Sequence, residues 1–599
     1  MGSEKVAEKN GKDEEIGEDA KNPKDGATAE DLAKEFQEHS VAEFFKKNRQ
    51  MLGLYGKIRT LTTIVHEYVS NSLDACEEAR TLPKIEVKLD QLGEDYYEVT
   101  VRDNGPGLTL QSVGKAFGKL LAGTKFHRLM QMRGQQGIGA SGVTLFSQIT
   151  TGKATQIITG TGNETISLEI TIDPKKNEPK LANVETLKRQ FKGTAIKAKF
   201  KDVKYIQSDQ SPMEYLRRTA IANPHAEIEF IEPSGDKTVF HRTLSDIPLK
   251  PIEVQPHPKG VTVDELISMA KYADSFKVSS FLKNEFDRMG DKAIGEIRKE
   301  VSFDLNKNPK KLTWEEAEEV VNAFKKIDFI APRMDALRPI GEDRIKKSLQ
   351  SILKPEFLSV IERKPTVYKG GFTFQIEAAI AFGGEAGKAS ANQTAEEKAN
   401  AKDDMQKLQI GKHIEVMRFA NRTPLLFDGG GCAITKAVQT IDWKRYGIKD
   451  LDNAPLSVLV NISSVFVPYT SAGKQAIAEE DEIVEEIRLA LMEAGRKIAR
   501  YIVGKRKEAE KQEKKRLYMR YAPEVAIAVS ALTKDPRKDL EKELLDIVLR
   551  KLKLDEAQDK KVEEESDDEI ENELENELKK EAKKKKPKKG SEESEEVNE

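Results

Sequence analysis

The sequence predicts a multidomain α+β chain: a two-layer α/β sandwich, a short all-helical block, a second α/β block and a long C-terminal helix. Three observations carry that expectation. At 599 residues the chain exceeds what one hydrophobic core organises, and its length suggests about four domains. The segment Glu67-Tyr68-Val69-Ser70-Asn71-Ser72-Leu73-Asp74 is followed some thirty residues later by Asp103-Asn104-Gly105-Pro106-Gly107 and then by Arg133-Gly134-Gln135-Gln136-Gly137-Ile138-Gly139-Ala140-Ser141-Gly142. Finally, Ile483, Ile487, Leu491, Ala494, Ile498 and Ile502 recur at three- and four-residue steps, the stripe of a long helix that needs a partner.

Taken in order, the first thirty or so residues are polar and charged and read as a disordered tail. From Ser40 an amphipathic helix begins, Val41-Ala42-Glu43-Phe44-Phe45-Lys46-Lys47-Asn48, with a serine cap and a glutamate three residues later. A helix over 58–80 puts Glu67, Asn71 and Asp74 on one side, because positions three, four and seven apart share a face. Val65, Val69 and Leu73 anchor it. Strands follow over 84–90 and 96–102, joined by the turn Leu92-Gly93-Glu94-Asp95, then a Gly-rich lid over 105–142, and further strands over 155–160, 165–172 and 194–200. Composition shifts at Pro251-Ile252-Glu253-Val254-Gln255-Pro256-His257-Pro258. A helical block over 261–326 comes next, with Thr262 and Glu265 as a capping box and Ser279 or Ser280 opening a second helix. From 327 the pattern returns to α/β. Phe372–Phe382 and Leu456–Val467 are strand-like, Gly429-Gly430-Gly431 opens a crossover helix, and residues 385–404 form a disordered insertion. From Ala476 a helix runs to about 510, with a second helical piece from Tyr521 to Leu532. Beyond Leu554 lies charged low-complexity sequence.

The chemistry of the polar face is specific. A carboxylate and an amide one turn apart, Glu67 and Asn71, can orient a water and hold a hydrated magnesium ion. The turn after the 96–102 strand lets backbone approach a flat ligand. Gly134, Gln135, Gln136, Gly137, Ile138, Gly139, Ala140 and Ser141 offer successive backbone N–H groups at a helix start, a phosphate cradle. The net charge of −3 argues neither for nor against nucleic acid, so any DNA contact comes from local basic patches. Two cysteines, Cys76 and Cys432, are too few for a disulfide framework and fit a reducing cytosol. No apolar run reaches 18 residues and no signal-like N-terminus is present, so a cytoplasmic, nucleoid-associated protein without membrane contact is expected.

Glu67/Asn71/Asp74, Asp103-x-Gly-x-Gly107, Gly137-x-Gly139 and Gly193-Thr194 match in order the four boxes of the gyrase, heat-shock-chaperone, histidine-kinase and MutL (GHKL) ATPase superfamily, whose sandwich is the Bergerat fold. By that resemblance Glu67 is the general base, Asn71 the Mg2+ ligand, Asp103 the acceptor for the adenine amino group of ATP, and Thr194 the hydroxyl at the back of the pocket. Thr124 and Lys125 on the lid reach the triphosphate. Asp74 stays open between a water-mediated adenine contact and a structural cap.

The helical block from Pro256 resembles a helix-two-turn-helix module. Asp442-Trp443-Lys444-Arg445-Tyr446 resembles the Trp-Lys-x-Tyr motif in the transducer of the B subunits of type IIB DNA topoisomerases, and Val41-Ala42-Glu43-Phe44-Phe45 and Thr124-Lys125-Phe126-His127-Arg128 look like that family's strap and lid. The resemblance spans roughly 40–530. It implies that Lys444 reaches the γ-phosphate, that ATP binding drives self-association of the ATPase domains around duplex DNA, and that DNA is cut by a separate topoisomerase VI A subunit docked on the long helix in an A2B2 heterotetramer. The expected domains are a tail (1–30), the ATPase domain with its strap (31–250), the helix-two-turn-helix domain (251–326), the transducer (327–475), the stalk and A-subunit docking region (476–535) and a charged tail (536–599). That tail leaves no room for the immunoglobulin-like domain of some members. A phosphoacceptor-histidine enzyme is disfavoured because His39 and His66 are poorly placed, and intact Glu67 speaks against a non-hydrolysing clamp.

Overall fold

The computed structural model describes residues 41–122, 130–134, 137–188, 190–330, 337–368, 371–387, 414–449, 454–471 and 473–550. Within the N-terminal block, α1 (Val41–Lys47) leads through a 3-10 turn to α2 (Lys57–Glu78), then β1 (Lys84–Gly93), β2 (Tyr96–Arg102), α3 (Leu110–Gly118), α4 (Gly139–Thr151), β3 (Thr155–Thr161), β4 (Thr165–Asp173), β5 (Glu178–Leu187), β6 (Lys192–Lys201), α5 (Pro212–Ala222), β7 (Glu227–Ile231) and β8 (Lys237–Phe240). The eight strands form one sheet in the order β5-β4-β3-β6-β2-β1-β7-β8. The antiparallel β1–β2 hairpin pairs Val87 with Val101 and Leu89 with Val99, whereas β1 and β7 run parallel.

Period-2 alternation explains the layering. Ile85, Val87 and Leu89 are buried while Glu86, Lys88 and Asp90 between them are half-exposed, so one sheet face takes the helices. Those helices are α2, α4 and α5, and Leu61, Val65, Val69 and Leu73 of α2 share a core with Val99, Phe146, Phe200, Leu216 and Phe230. The two-layer sandwich stands as expected. The sequence pattern gave no sign of β5, because this edge strand is exposed along nearly its whole length and carries no burial alternation to read. Likewise, α3 occupies part of the stretch expected as lid.

The helical block contains α6 (Val263–Tyr272), α7 (Val278–Glu285), α8 (Asp291–Glu300) and α9 (Trp314–Lys326) around its own core of Leu266, Phe281, Phe286, Ile297, Val320 and Phe324. Both halves of the Thr262–Glu265 capping box are present, and Thr313–Glu316 forms a second. Helix α7 starts one residue earlier than expected, with Lys277 at the cap position.

The third block runs α10 (Glu342–Leu353), β9 (Phe357–Glu362), β10 (Thr366–Tyr368), β11 (Phe372–Phe382), β12 (Ile414–Ala420), β13 (Thr423–Pro424), α11 (Ala433–Gln439) and β14 (Leu456–Ser464). Its sheet has the order β10-β11-β14-β12-β13, with β9 also on β11. Strands β12 and β14 are parallel, so α11 is the crossover that the three glycines introduce. β14 is buried at every position. Its two faces are covered by α10 on one side and by α12 (Asp481–Thr533) on the other. The insertion expected from 385 falls mostly outside the described residues.

α12 corrects the two-piece expectation for the C-terminal region, for it is one helix of 53 residues with Pro523 inside it, roughly 80 Å long. The stretch between the two expected pieces, Lys511 to Arg520, is rich in Glu, Lys, Gln and Arg. These are strong helix formers with little side-chain cost, and Arg506–Glu510 adds an i,i+4 ion pair. Its first turns dock on the sheet, with Ile483, Ile487, Leu491, Ala494 and Ile498 fully buried; farther along, Ala522 and Ala526 are buried whereas Leu517, Tyr521 and Leu532 are exposed. A further helical stretch covers residues 537–550, inside the 536–599 stretch expected as a charged tail. The rest of that tail and residues 1–40 lie outside the described residues. No helix among the described residues is long and apolar enough to cross a membrane.

Candidate functional site

A cleft of about 660 Å³ opens between α2, the Asp103–Gly107 turn, α3 and the start of α4. Glu67, Asn71, Asp74, Asp103, Gly134, Gly137, Ile138, Gly139, Ala140, Ser141 and Thr194 all line it. Segments more than a hundred residues apart in sequence are thus brought to one site. Thr124, Lys125, Gln135 and Gln136, with the rest of the 123–129 stretch, lie outside the described residues.

Asp103 is fixed at the end of β2. Its Oδ1 accepts from the Gly105 and Thr194 N–H groups at 2.9 and 3.1 Å, and its Oδ2 accepts from the Ser72 hydroxyl at 3.0 Å. Burial pushes its carboxyl up from the ordinary range, and these three donors offset part of that rise. Asn104 ties the turn to the start of β1, accepting from Lys84 N–H at 2.8 Å and donating to the Leu82 carbonyl at 3.0 Å.

Glycine is required where backbones cross. At Gly107, φ is +73° and a Cβ would stand 2.2 Å from the Gly160 carbonyl oxygen. At Gly193, φ is +127° and a Cβ would stand 2.1 Å from the Asp103 carbonyl oxygen. Gly107→Ala is therefore expected to cost at least ~1–3 kcal/mol, read as a lower midpoint of thermal unfolding. An unchanged midpoint would show that the turn relaxes freely.

α4 begins at Gly139 without any side-chain cap. The Gly142 N–H bonds the Ile138 carbonyl at 2.7 Å, while the N–H groups of Gly139, Ala140 and Ser141 have no intrahelical acceptor and face the cleft end of the helix dipole. A Cβ on Gly139 would fall 1.8 Å from a Glu67 carboxylate oxygen. The carboxylate of α2 and the uncapped, positive end of the α4 dipole therefore meet directly. The nearest heavy atom to a Cβ at Gly134 would be the Asn71 amide oxygen, at 4.0 Å.

One expected residue stands away from the cleft. Lys444 does not line the cleft. It is exposed on the 3-10 turn Trp443–Tyr446, whose aromatic rings are buried in the third block, with Tyr446 against Gly495 of α12. The lysine that this block brings to the cleft is Lys474, whose Nζ donates to the Arg133 carbonyl at 3.2 Å. It was missed because a single lysine in a loop carries no periodic signal; the hint was Gly473 before it, whose backbone runs alongside Gly53. Asp74, in turn, is ion-paired to Arg133 at 2.7 Å.

The placement of Lys474 has visible supports. Gln475 beside it accepts from Leu426 and Phe427 N–H at 3.3 Å each. Asp428, next along that loop, receives both Nη groups of Arg59 at 2.6 and 2.7 Å. Arg59 lies on α2 and also stacks 4.0 Å from the Tyr55 ring centroid. A bidentate guanidinium–carboxylate pair fixes orientation as well as distance, so the loop carrying Lys474 is referenced to the helix carrying Glu67.

Sandwich, cleft and lysine-bearing second sheet together are the architecture of a nucleotide-dependent molecular machine. Residues 56–177 match the family model for histidine kinase-, DNA gyrase B- and HSP90-like ATPases, and residues 332–515 match that of the topoisomerase VI B subunit transducer. The chain is 45% identical over 586 residues to the B subunit of type 2 DNA topoisomerase 6 from Pyrococcus abyssi, covering 90% of this chain and 99% of that one. With the protein of the same description from Methanothermobacter thermautotrophicus it is 45% identical over 524 residues, covering 87% and 96%. The chain belongs to the family of type 2 DNA topoisomerase 6 B subunits.

Proposed function

We propose that this chain is the ATP-binding and ATP-hydrolysing B subunit of a type IIB DNA topoisomerase, in which nucleotide-driven closure of two B subunits gates passage of duplex DNA through a break made by a separate A subunit. One observation carries it: Glu67, Asn71, Asp103 and the open N-terminus of α4 converge on one cleft with Lys474 from a second domain. Asp103 accepts from the adenine amino group, held for it by Ser72, Gly105 and Thr194. The N–H groups of Gly139 to Ser141 bind phosphate oxygens. Glu67 orients the attacking water and takes its proton. Asn71 supplies one oxygen ligand to Mg2+, a hard cation that takes its other ligands from phosphate and water.

Lys474, in place of Lys444, is assigned the γ-phosphate contact. A cation that engages one phosphate more before hydrolysis than after gives the two domain arrangements different affinities for the nucleotide, and that difference drives movement. The exposed distal part of α12 suits docking of the A subunit in an A2B2 assembly, and DNA contacts through Lys and Arg make binding salt-sensitive. A place on the nucleoid follows from that substrate. The decisive experiment is co-purification with an A subunit followed by relaxation of supercoiled DNA. Relaxation should require ATP, the A subunit and Glu67 together. DNA cleavage by this chain alone, or relaxation without ATP, would overturn the proposal.

A further inference from the structure

Arg133 is a node. It sits between the lid and the phosphate cradle, one residue before Gly134, and its side chain is almost fully buried. Nη1 donates to Asp74 at 2.7 Å, and Nη2 donates to Glu77 at 2.6 Å and to Asn223 at 2.5 Å. Its own carbonyl accepts from Lys474. Asp74 and Glu77 lie on α2, one and three turns beyond Asn71 and Glu67 respectively, so the same residue touches the catalytic helix, the cradle and the lysine.

The second domain reaches this node through the turn between β12 and β13. Asn421 and Arg422 there both adopt positive φ, 48° and 64°, a conformation costly for side-chain-bearing residues. Asn421 Nδ2 donates to the Met132 carbonyl at 3.0 Å. Arg422, 6% exposed, donates from Nη2 to Glu77 at 2.7 Å, while its Nε and Nη1 are buried without a partner among the described residues. Burial raises the Glu77 carboxyl and the Arg133 and Arg422 charges more than offset it, so it lies well below the usual range. His225, also bonded to Glu77 at 3.0 Å, has its pKa lowered by burial. A guanidinium held by one bond, with two donors unspent beside Asp74 and Glu77, can re-pair when the domains shift. A saturated pair cannot.

We propose that Arg422 is a positioning residue for ATP turnover, which through Glu77 and Arg133 sets where Lys474 stands relative to the phosphate cradle. The inference rests on Lys474 as the γ-phosphate contact, and the test separates the two. In the full chain bound to its A subunit, kcat and KM for ATP are measured for Lys474→Ala, Arg422→Met, Arg422→Lys and the Arg422→Met/Lys474→Ala double variant. Arg422→Met should lower kcat about tenfold with KM within about threefold. Arg422→Lys, which can keep the single bond to Glu77, should stay within about threefold of the parent protein. The double variant should be no slower than Lys474→Ala alone, because residues acting through one another are not additive. Multiplicative losses in the double variant, a loss seen in KM, or Arg422→Lys as slow as Arg422→Met would overturn the proposal. Full kcat in Lys474→Ala would instead remove the reading of Lys474 beneath it. If Arg422→Met lowers thermal stability markedly, the near-isosteric Glu77→Gln takes its place in the same cycle, with the same pattern required.

Discussion

Glu67→Gln is expected to bind ATP within about threefold of the parent protein and to lose on the order of 10²–10⁴ in turnover. The expected split follows from geometry. The carboxylate stands against Gly139, where α4 presents its unpaired N–H groups, so on the proposed reading it borders the terminal phosphate, while a different residue, Asp103, receives the base. Glutamine keeps the volume beside Gly139 and removes only the charge and proton affinity. Binding, carried by Asp103 and the helix N-terminus, should survive. Equilibrium titration with ATP alongside phosphate-release kinetics measures both quantities on one preparation. Undiminished phosphate release would remove Glu67 as the base, and a parallel loss of binding would make it a ligand contact instead. Gly139→Ala should reproduce the turnover defect, since its methyl group cannot coexist with the carboxylate where it stands.

The parts of this site written in local patterns were readable in the sequence, and those made by tertiary contact were not. The face of α2 follows from three- and four-residue spacing, with Val65, Val69 and Leu73 buried as that spacing requires. The Asp103 turn and the α4 cradle announce themselves by glycines that only a close approach explains, and strands β2 and β11 coincide with their expected limits because their burial patterns are strong. β5 was silent since an exposed edge strand buries little. Lys444 stands apart for a different reason. Its aromatic neighbours made it conspicuous, yet Trp443 and Tyr446 serve the core of the second domain, and the lysine between them stands off the cleft lining. The ion cluster at Glu77 was also unreadable. Asp74, Glu77, Arg133, His225 and Arg422 come from four separate segments, and nothing in the spacing of charged residues encodes their meeting.

The second large effect is therefore a contrast between two lysines of one domain. Lys474→Ala should lower ATP turnover by about tenfold or more and abolish ATP-dependent relaxation with the A subunit, while Lys444→Ala should hydrolyse ATP at the parent rate. Lys474 lines the cleft and its Nζ lies on the Arg133 carbonyl beside the cradle. The Arg59–Asp428 pair and Gln475 hold its loop against α2. A flexible ammonium at that point can leave a neutral carbonyl for a phosphate oxygen, a stronger, charge-assisted partner. That exchange changes the relative energy of the two domain positions only while the phosphate is present. Lys444 has no such exchange to make, being exposed on a turn packed against α12. Steady-state hydrolysis and relaxation assays on both variants decide the matter. Loss of hydrolysis in Lys444→Ala with retention in Lys474→Ala would return the sensor to the Trp-Lys-Arg-Tyr turn, and would require the two domains to rotate far enough to bring that turn to the cleft.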